Sequence, residues 1–386
     1  MDQAATIPLV QEIMSDFARR TGLEPANGEP RRYLWTDAFA VCNYLSLFRI
    51  TGEERHLDLA LRLVDQVHSV LGRHRQDDGR QGWISGLDEE KGAKHPTVGG
   101  LRIGKKLKER AREEVPDPFL EWEQDGQYYH YLTKWMHALS RVSEVTVDPR
   151  CLRWAAELAR AIHPRFTYPL NSVRKRRMYW KTSIDLSYPL VTSMGQHDAL
   201  DGYVTYCELR HASGRFDEAE LPDLGPEIED MAEICHGGSW ATDDALGAGA
   251  LLIDAWRVAQ MLGDDDLLPL LRRITSASLV SVGAIAGEGD LEGSAGQRLA
   301  FRELGLSIGL NAVELLGARL TVGPGERDAA LAEQVDLLQG FVPVAGKIER
   351  LWAEPRNRLA ATWKDHEDIN AVMLATSLAP AEFLRI

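Results

Sequence analysis

The sequence predicts an all-α protein, an (α/α)6 toroid in which six inner–outer helix pairs close into a single domain spanning 1–386. Three observations carry that reading. Apolar residues recur at helical spacing at 8–21, 33–50, 55–73, 127–146, 149–163, 197–213, 226–236, 244–262, 265–281, 297–320, 328–339 and 366–382. Sustained period-2 alternation is scarce, so strands should be few and short. The segments also alternate between two compositional classes, and the links between them alternate in length.

The two classes are plain in the residues. Leu57–Arg73, Cys151–His163 and Leu267–Leu279 carry charge on one face and apolar residues on the other, as a solvent-facing helix should. AFAVCNYLSLF, ALGAGALLIDAWRVAQML and LGLSIGLNAVELLGARL are apolar nearly all round, and Gly247, Ala248, Gly249, Ala250, Gly305 and Gly309 permit close packing. An inner ring inside an outer ring accounts for both.

After each inner helix the link is short: TGEE at 51–54, VDP at 147–149, GDDD at 263–266 and GPGE at 323–326. Before most inner helices it is long, at 76–126 and 164–196 above all, and less so at 22–32, 282–296 and 340–365. Since alternate helices run in opposite directions, the long links should gather on one face, at the N-termini of the inner helices. Long loops on a rigid scaffold are where function usually sits. The segment 76–126, with its many glycines and the basic stretch Lys105–Arg112, is expected to form a partly mobile cover over that face.

Composition narrows the function. Apolar residues make up 44% of the chain, enough for a large core, and the net charge of −14 argues against a nucleic-acid partner. Cys42, Cys151, Cys207 and Cys235 are scattered, with no CxxC pair, which fits a reducing, cytoplasmic setting rather than a disulfide framework or a zinc site. The start MDQAATIPLVQEIM lacks the basic and apolar regions of a signal peptide. No apolar run is expected to reach the roughly 18–20 residues a bilayer requires, so no membrane partner is expected.

Polar and aromatic residues concentrate where each inner helix begins. The motifs are YLWTDAF with Trp35 and Asp37, QDGQYYHYLTKW with Tyr128, Tyr129, His130 and Lys134, MGQHDALDG with Gln196, His197, Asp198 and Asp201, ATDDALG with Asp243 and Asp244, GSAGQRLAFRE with Arg298, Arg302 and Glu303, and WKDHEDIN with Trp363, Lys364, Asp365, His366, Glu367 and Asp368. Charge on otherwise apolar helices is costly to bury without partners. Asp243, Asp244, Asp365 and Asp368 taken singly also suit helix capping and first-turn positions. Asp37 and Asp201 also suit buried carboxylates paired with a nearby base. His137, deeper in its helix, reads as a core histidine. Three histidines at helix starts, His130, His197 and His366, could touch a ligand, but no HxH or HExxH spacing supports a metal, and no metal or other cofactor is expected.

The long loops add Trp83 and the basic run of 82–114, and RKRRMYWKTSIDLSYP, which places Trp180 and Lys181 after four basic residues. Aromatic faces stack on the C–H faces of sugars, and cations meet carboxylates or sulfates. Either basic run also reads as solvated loop surface.

The helix alternation with long loops on one side resembles the six-hairpin glycosidase-like superfamily, which includes unsaturated uronyl hydrolases, inverting glycosidases and N-acylglucosamine 2-epimerases. QHDALDGYVTY looks like the stretch of unsaturated rhamnogalacturonyl and glucuronyl hydrolases that carries their general acid/base aspartate. That resemblance implies Asp201, or Asp198 one turn earlier, as the acid, with Asp37 as a second carboxylate. The remaining patterns of those families are not evident. WKDHED bears a weaker likeness to the epimerases, and ATDDAL a superficial one to terpene cyclases.

The expectation is a carbohydrate-active enzyme that hydrolyses a glycosidic bond in an oligosaccharide, uronate-containing ones included, with a protonated carboxyl as donor and a second carboxylate activating water. Trp35, Tyr129, Trp180 and Trp363 would be stacking walls. His130, Gln196, His197, Arg298, Arg302, Lys364, Asp365, His366 and Glu367, with Lys181, would hold hydroxyls or an anionic substituent. A sugar epimerase using His197 and His366 on opposite faces of a ring carbon is the first rival. A non-catalytic toroid that binds a glycan or a protein is the second. The oligomeric state is left open.

Overall fold

The computed structural model describes residues 3–26, 29–170, 176–216, 221–263, 267–287, 290–322 and 328–386. Most of the GDDD link, the GPGE link, and Arg174 and Lys175 of the basic run before Trp180 lie outside the described residues. Every helical segment expected from the periodicity forms, with ends displaced by less than two turns. In chain order the helices are α1 Gln3–Arg20, α2 Leu34–Thr51, α3 Glu54–Leu71, α4 Glu89–Lys94, α5 Pro118–Glu123, α6 Tyr129–Thr146, α7 Arg150–Phe166, α8 Asp198–Ser213, α9 Gly225–Cys235, α10 Ala245–Gln260, α11 Leu268–Gly287, α12 Ala300–Val322, α13 Ala329–Gln339, α14 Val342–Ala353, α15 Ala361–Lys364 and α16 Glu367–Leu378. Their ends follow local chemistry. Gly52 takes a left-handed φ of 72° and closes α2 by donating its N–H to Phe48 O, while the Asp244 carboxylate caps α10 by accepting from Gly247 N–H.

Contacts group the chain into two compact units, one of Ala18–Phe48 and Gly52–Gly238, the other of Met1–Phe17, Arg49–Thr51 and Ser239–Ile386. In the first, α6 packs against α7 and α8, and α8 against α9. Helices α2, α6 and α8 are buried on nearly every side, whereas α3 buries one face through Leu59, Leu63, Val67 and Leu71. Two small antiparallel sheets accompany them. Strands β1 (Gln127–Tyr128), β4 (Lys181–Thr182) and β5 (Pro189–Val191) pair in the order β1-β4-β5, and β2 (Thr167–Pro169) pairs with β3 (Arg176–Met178). The first sheet matters most: it ties the residues entering α6 to the chain around Trp180.

The segment 76–126, expected to be a partly mobile cover, is tied down at many points. Its first half lies on the outer helices. Thr97 donates its hydroxyl to Trp154 O at 2.7 Å, Trp154 Nε1 donates to Lys94 O at 2.8 Å, and His95 meets Glu157 at 2.7 Å. Leu101 and Ile103 are fully buried. Its second half is held by charge: Arg75 and Arg102 converge on the buried Asp125 carboxylate at 3.2 and 3.0 Å, and Arg110 pairs with Glu121 at 3.0 Å. The glycines that suggested hinges instead permit tight turns and close contacts, as at Gly104, where a Cβ would stand 2.2 Å from Arg32 O. Only the stretch 111–120 is exposed throughout.

In the second unit α12 packs against α10, α13, α14 and α16, and α10 also against α11. Here the small residues act as the sequence suggests. A Cβ on Gly249 would fall 2.1 Å from Gly305 O, and one on Gly309 would fall 2.6 Å from Gly249 O, so α10 and α12 touch backbone to backbone. Helix α14 lies inside the stretch 340–365 that reads as a link. Helix α11 departs from the expectation that no run is apolar enough to span a bilayer: its 20 residues with mean hydropathy 1.2 qualify by length and composition. It packs on α10 and α13, with Leu271, Ile274, Val282 and Ile285 buried.

Candidate active site

The spacing of two short motifs builds the site. On α6, His130, Thr133 and Lys134 stand at i, i+3 and i+4, so they share one face. On α8, Asp198 and Asp201 stand at i and i+3 in the first turn. Packing of α6 on α8 brings these faces together. Lys134 Nζ donates to Asp201 Oδ1 at 2.7 Å, and the Thr133 hydroxyl donates to Asp201 Oδ2 at 2.5 Å. His130 Nδ1 lies 3.7 Å from Asp198 Oδ1, too far for a hydrogen bond.

Asp201 and Asp198 therefore live differently. Asp201 is fixed by a cation and a hydroxyl. Asp198, at 5% exposure, has an Oδ2 with no hydrogen-bond partner among the described residues, and His130 Nδ1 has none either. Burial, reinforced by the Asp201 charge, pushes the Asp198 carboxyl up to about 8, so it is protonated at neutral pH. Burial moves the His130 ring the other way, down to about 4, so it is neutral. Its side chain is 26% exposed, but Nδ1 itself is covered. Gly195 makes the approach possible: a Cβ there would sit 2.6 Å from the Asp198 carboxyl.

An aromatic wall surrounds the pair. The Trp180 ring lies parallel to His130, 9° and 6.2 Å apart, and Tyr128 stacks on the same imidazole at 5.6 Å. Trp35 meets His130 edge-on at 5.8 Å and Tyr131 at 5.3 Å. Tyr33 and Tyr131 share a hydroxyl hydrogen bond of 2.7 Å, and Trp122 stands against Trp180 at 4.8 Å. Thus Trp35, His130, Trp180, Asp198 and Asp201 come together in the first unit. Tyr33, Tyr131, Trp122 and Gly195 join them without having been singled out in the sequence. Tyr33, Tyr131 and Gly195 were legible as members of the motifs that open their helices, but Trp122 is placed by the anchored segment.

Other candidates are engaged differently. Asp37 is buried at the start of its own helix, accepting from Tyr33 N–H at 3.0 Å and lying 3.4 Å from Arg32 Nη1. Tyr129 is no stacking wall: its ring is fully buried and its hydroxyl donates to Tyr206 at 2.9 Å. Lys181 is buried too, donating to Glu121 O, Glu121 Oε1 and Gln124 O, which leaves no donor for a ligand. Gln196 is exposed, and His197 supplies the carbonyl that accepts from Asp201 N–H.

In the second unit Arg298 grips Glu303 through two 2.7 Å bonds, and Trp363 is buried in a stack with Trp352. Arg302 pairs with Asp244 at 2.5 Å, and His366 sits edge-on to Phe301. Lys364, Asp365, His366 and Glu367 form an exposed group at the N-terminus of α16. Among the described residues no group of three His, Cys, Asp or Glu side chains is placed to hold a metal ion.

No family model matches the sequence, and no curated protein does. Solved structures do match. The GH76A α-1,6-mannanase from Salegentibacter sp. HEL1_6 is 13% identical, with 100% of each chain covered and a TM-score of 0.53. The fold is that of the (α/α)6 toroids. An inactive variant of the same mannanase, with two consecutive aspartates replaced by asparagine and α-1,6-mannotriose bound, matches at 12% identity with 100% of each chain covered and a TM-score of 0.50. Cellobiose 2-epimerase from Bacillus thermoamylovorans is 11% identical over 81% of this chain and 76% of its own, with a TM-score of 0.42.

Within this toroid the site offers a proton donor with a free oxygen, a neutral imidazole beside it, a fixed charge pair one turn below and aromatic rings on the flanks. That set suits donation to a buried oxygen of a ligand whose apolar faces stack on rings.

Proposed function

We propose that the protein is a carbohydrate-active enzyme that cleaves a glycosidic bond, with Asp198 as the general acid. One observation carries the reading: a buried carboxyl, protonated at neutral pH, whose Oδ2 has no partner among the described residues and which lies beside an aromatic wall. A carboxyl in that state has a proton to give. His130, neutral and 3.7 Å away, would orient the carboxyl or a sugar hydroxyl. Burial first, and then the Asp201 charge, keep the proton on Asp198 until the leaving oxygen draws it, with Lys134 working against them. Trp180 would face the sugar's C–H surfaces, with the buried Trp35 packing behind His130.

The similar mannanase structures make α-1,6-linked manno-oligosaccharides the first substrates to try, within a panel of neutral and uronate-containing oligosaccharides. Asp198→Asn should lower the rate of reducing-end release by about 10²–10⁴-fold, the usual share of a general acid. Full activity in that variant would end the assignment. Sugar returned epimerised rather than shortened would favour the histidine chemistry of the rival reading.

A further inference from the structure

The aromatic wall does not stop at Trp180. Trp122, on the short helix α5, packs against Trp180 with ring centroids 4.8 Å apart and planes at 72°, so the two rings form a corner. Trp122 is 54% exposed, an unusual state for tryptophan, and Phe119, one turn earlier, is 88% exposed. Their neighbours are anchored: Glu121 is buried between Arg110 and Lys181, and Asp117 caps α5 by accepting from Phe119 and Leu120 N–H. The fold thus spends ion pairs and a cap on holding an apolar ring in water.

We infer that Trp122 is a distal stacking platform for an oligosaccharide chain whose reacting end lies at Asp198. The occupant is a glycan because the row is continuous: His130 lies beside Asp198, Trp180 lies parallel to His130, and Trp122 meets Trp180. A chain of pyranose rings leaving the acid along this row would reach Trp180 first and Trp122 next, offering each a C–H face. The inference rests on the glycosidic reading of Asp198 and adds to it where the oligosaccharide stacks beyond its reacting end.

The test compares wild type, Trp122→Ala and Trp122→Phe on linear neutral oligosaccharides of increasing length, α-1,6-manno-oligosaccharides among them. Cleavage is followed by reducing-end release, and binding to the Asp198→Asn background by calorimetry. Trp122→Ala should lose more kcat/KM, and more affinity, the longer the oligosaccharide, by about 3- to 10-fold between the shortest and longest. Trp122→Phe should recover most of that loss. Melting midpoints of the variants should stay within a few degrees of wild type, since more than half of the ring is exposed. An equal effect at every length, or no oligosaccharide binding at all, overturns the platform. Chain-length-dependent binding without Asp198-dependent cleavage would keep the platform and remove the hydrolase reading. Asp198-dependent cleavage with a flat Trp122→Ala profile would do the reverse.

Discussion

Asp198 keeps its proton to about pH 8 because burial outweighs its place at a helix N-terminus, where a carboxylate is ordinarily favoured. For activity, the protonated form is the donor, so kcat/KM for glycosidic cleavage should fall on the alkaline side with a midpoint near 8. For stability, the unfolded chain gives up this proton near the ordinary value of 3.8 while the folded chain holds it to about 8. The group's contribution is therefore complete below the lower value and is lost as pH rises toward the higher one. Asp198→Asn removes that loss. Its Tm relative to wild type should climb between about pH 5 and about pH 8 in thermal melts. A constant difference across that range would show that the folded carboxyl ionises in its usual range. His130 acts in the opposite sense: with its ring lowered from 6.5 to about 4, the stability it supports is lost as pH falls through that interval.

At the scale of elements, the contact of α10 with α12 is the least forgiving. Gly249→Ala would place a methyl group 2.1 Å from a backbone oxygen that cannot swing aside. The helices must separate, and destabilisation of about 1–3 kcal/mol or more should appear in denaturant unfolding. An unchanged midpoint would mean that the crossing is looser than its geometry. This contact was legible from Gly249, Gly305 and Gly309, because small residues on an apolar helix have few other uses. Helix α14 was not legible: Pro343 and Gly346 in its first turns read as loop residues, although proline suits a helix start. In the site, Asp198, His130 and Trp35 were legible because they open helices that the periodicity locates, and Trp180 because the long loop before α8 sets an aromatic residue after four basic ones. The partner of Arg298, Glu303, stands five residues on in the same motif, whereas Lys181 misled because its partner, Glu121, is supplied by tertiary structure that no local pattern reports. Trp122 escaped notice because it lies in the segment 76–126, whose anchoring depends on such pairs.

The whole molecule divides in a way that its linear order conceals. The second unit is discontinuous, because α1 belongs with residues 239–386 while the chain between them builds the first unit. On α1, Val10, Ile13, Met14 and Phe17 line one face and are each at most 4% exposed. Burying four such side chains contributes roughly 6–12 kcal/mol as an upper figure. That is comparable with the whole stability of a typical domain, about 5–15 kcal/mol. A fragment of residues 239–386 alone should therefore be poorly packed, with helical circular dichroism, strong binding of a hydrophobic dye and a broad melt. Joining residues 1–20 to it through a flexible linker should sharpen the melt, raise its midpoint and release the dye. If the fragment melts as cooperatively and at the same temperature without α1, the N-terminal helix is an accessory of this unit and its apolar face contributes far less than its burial implies.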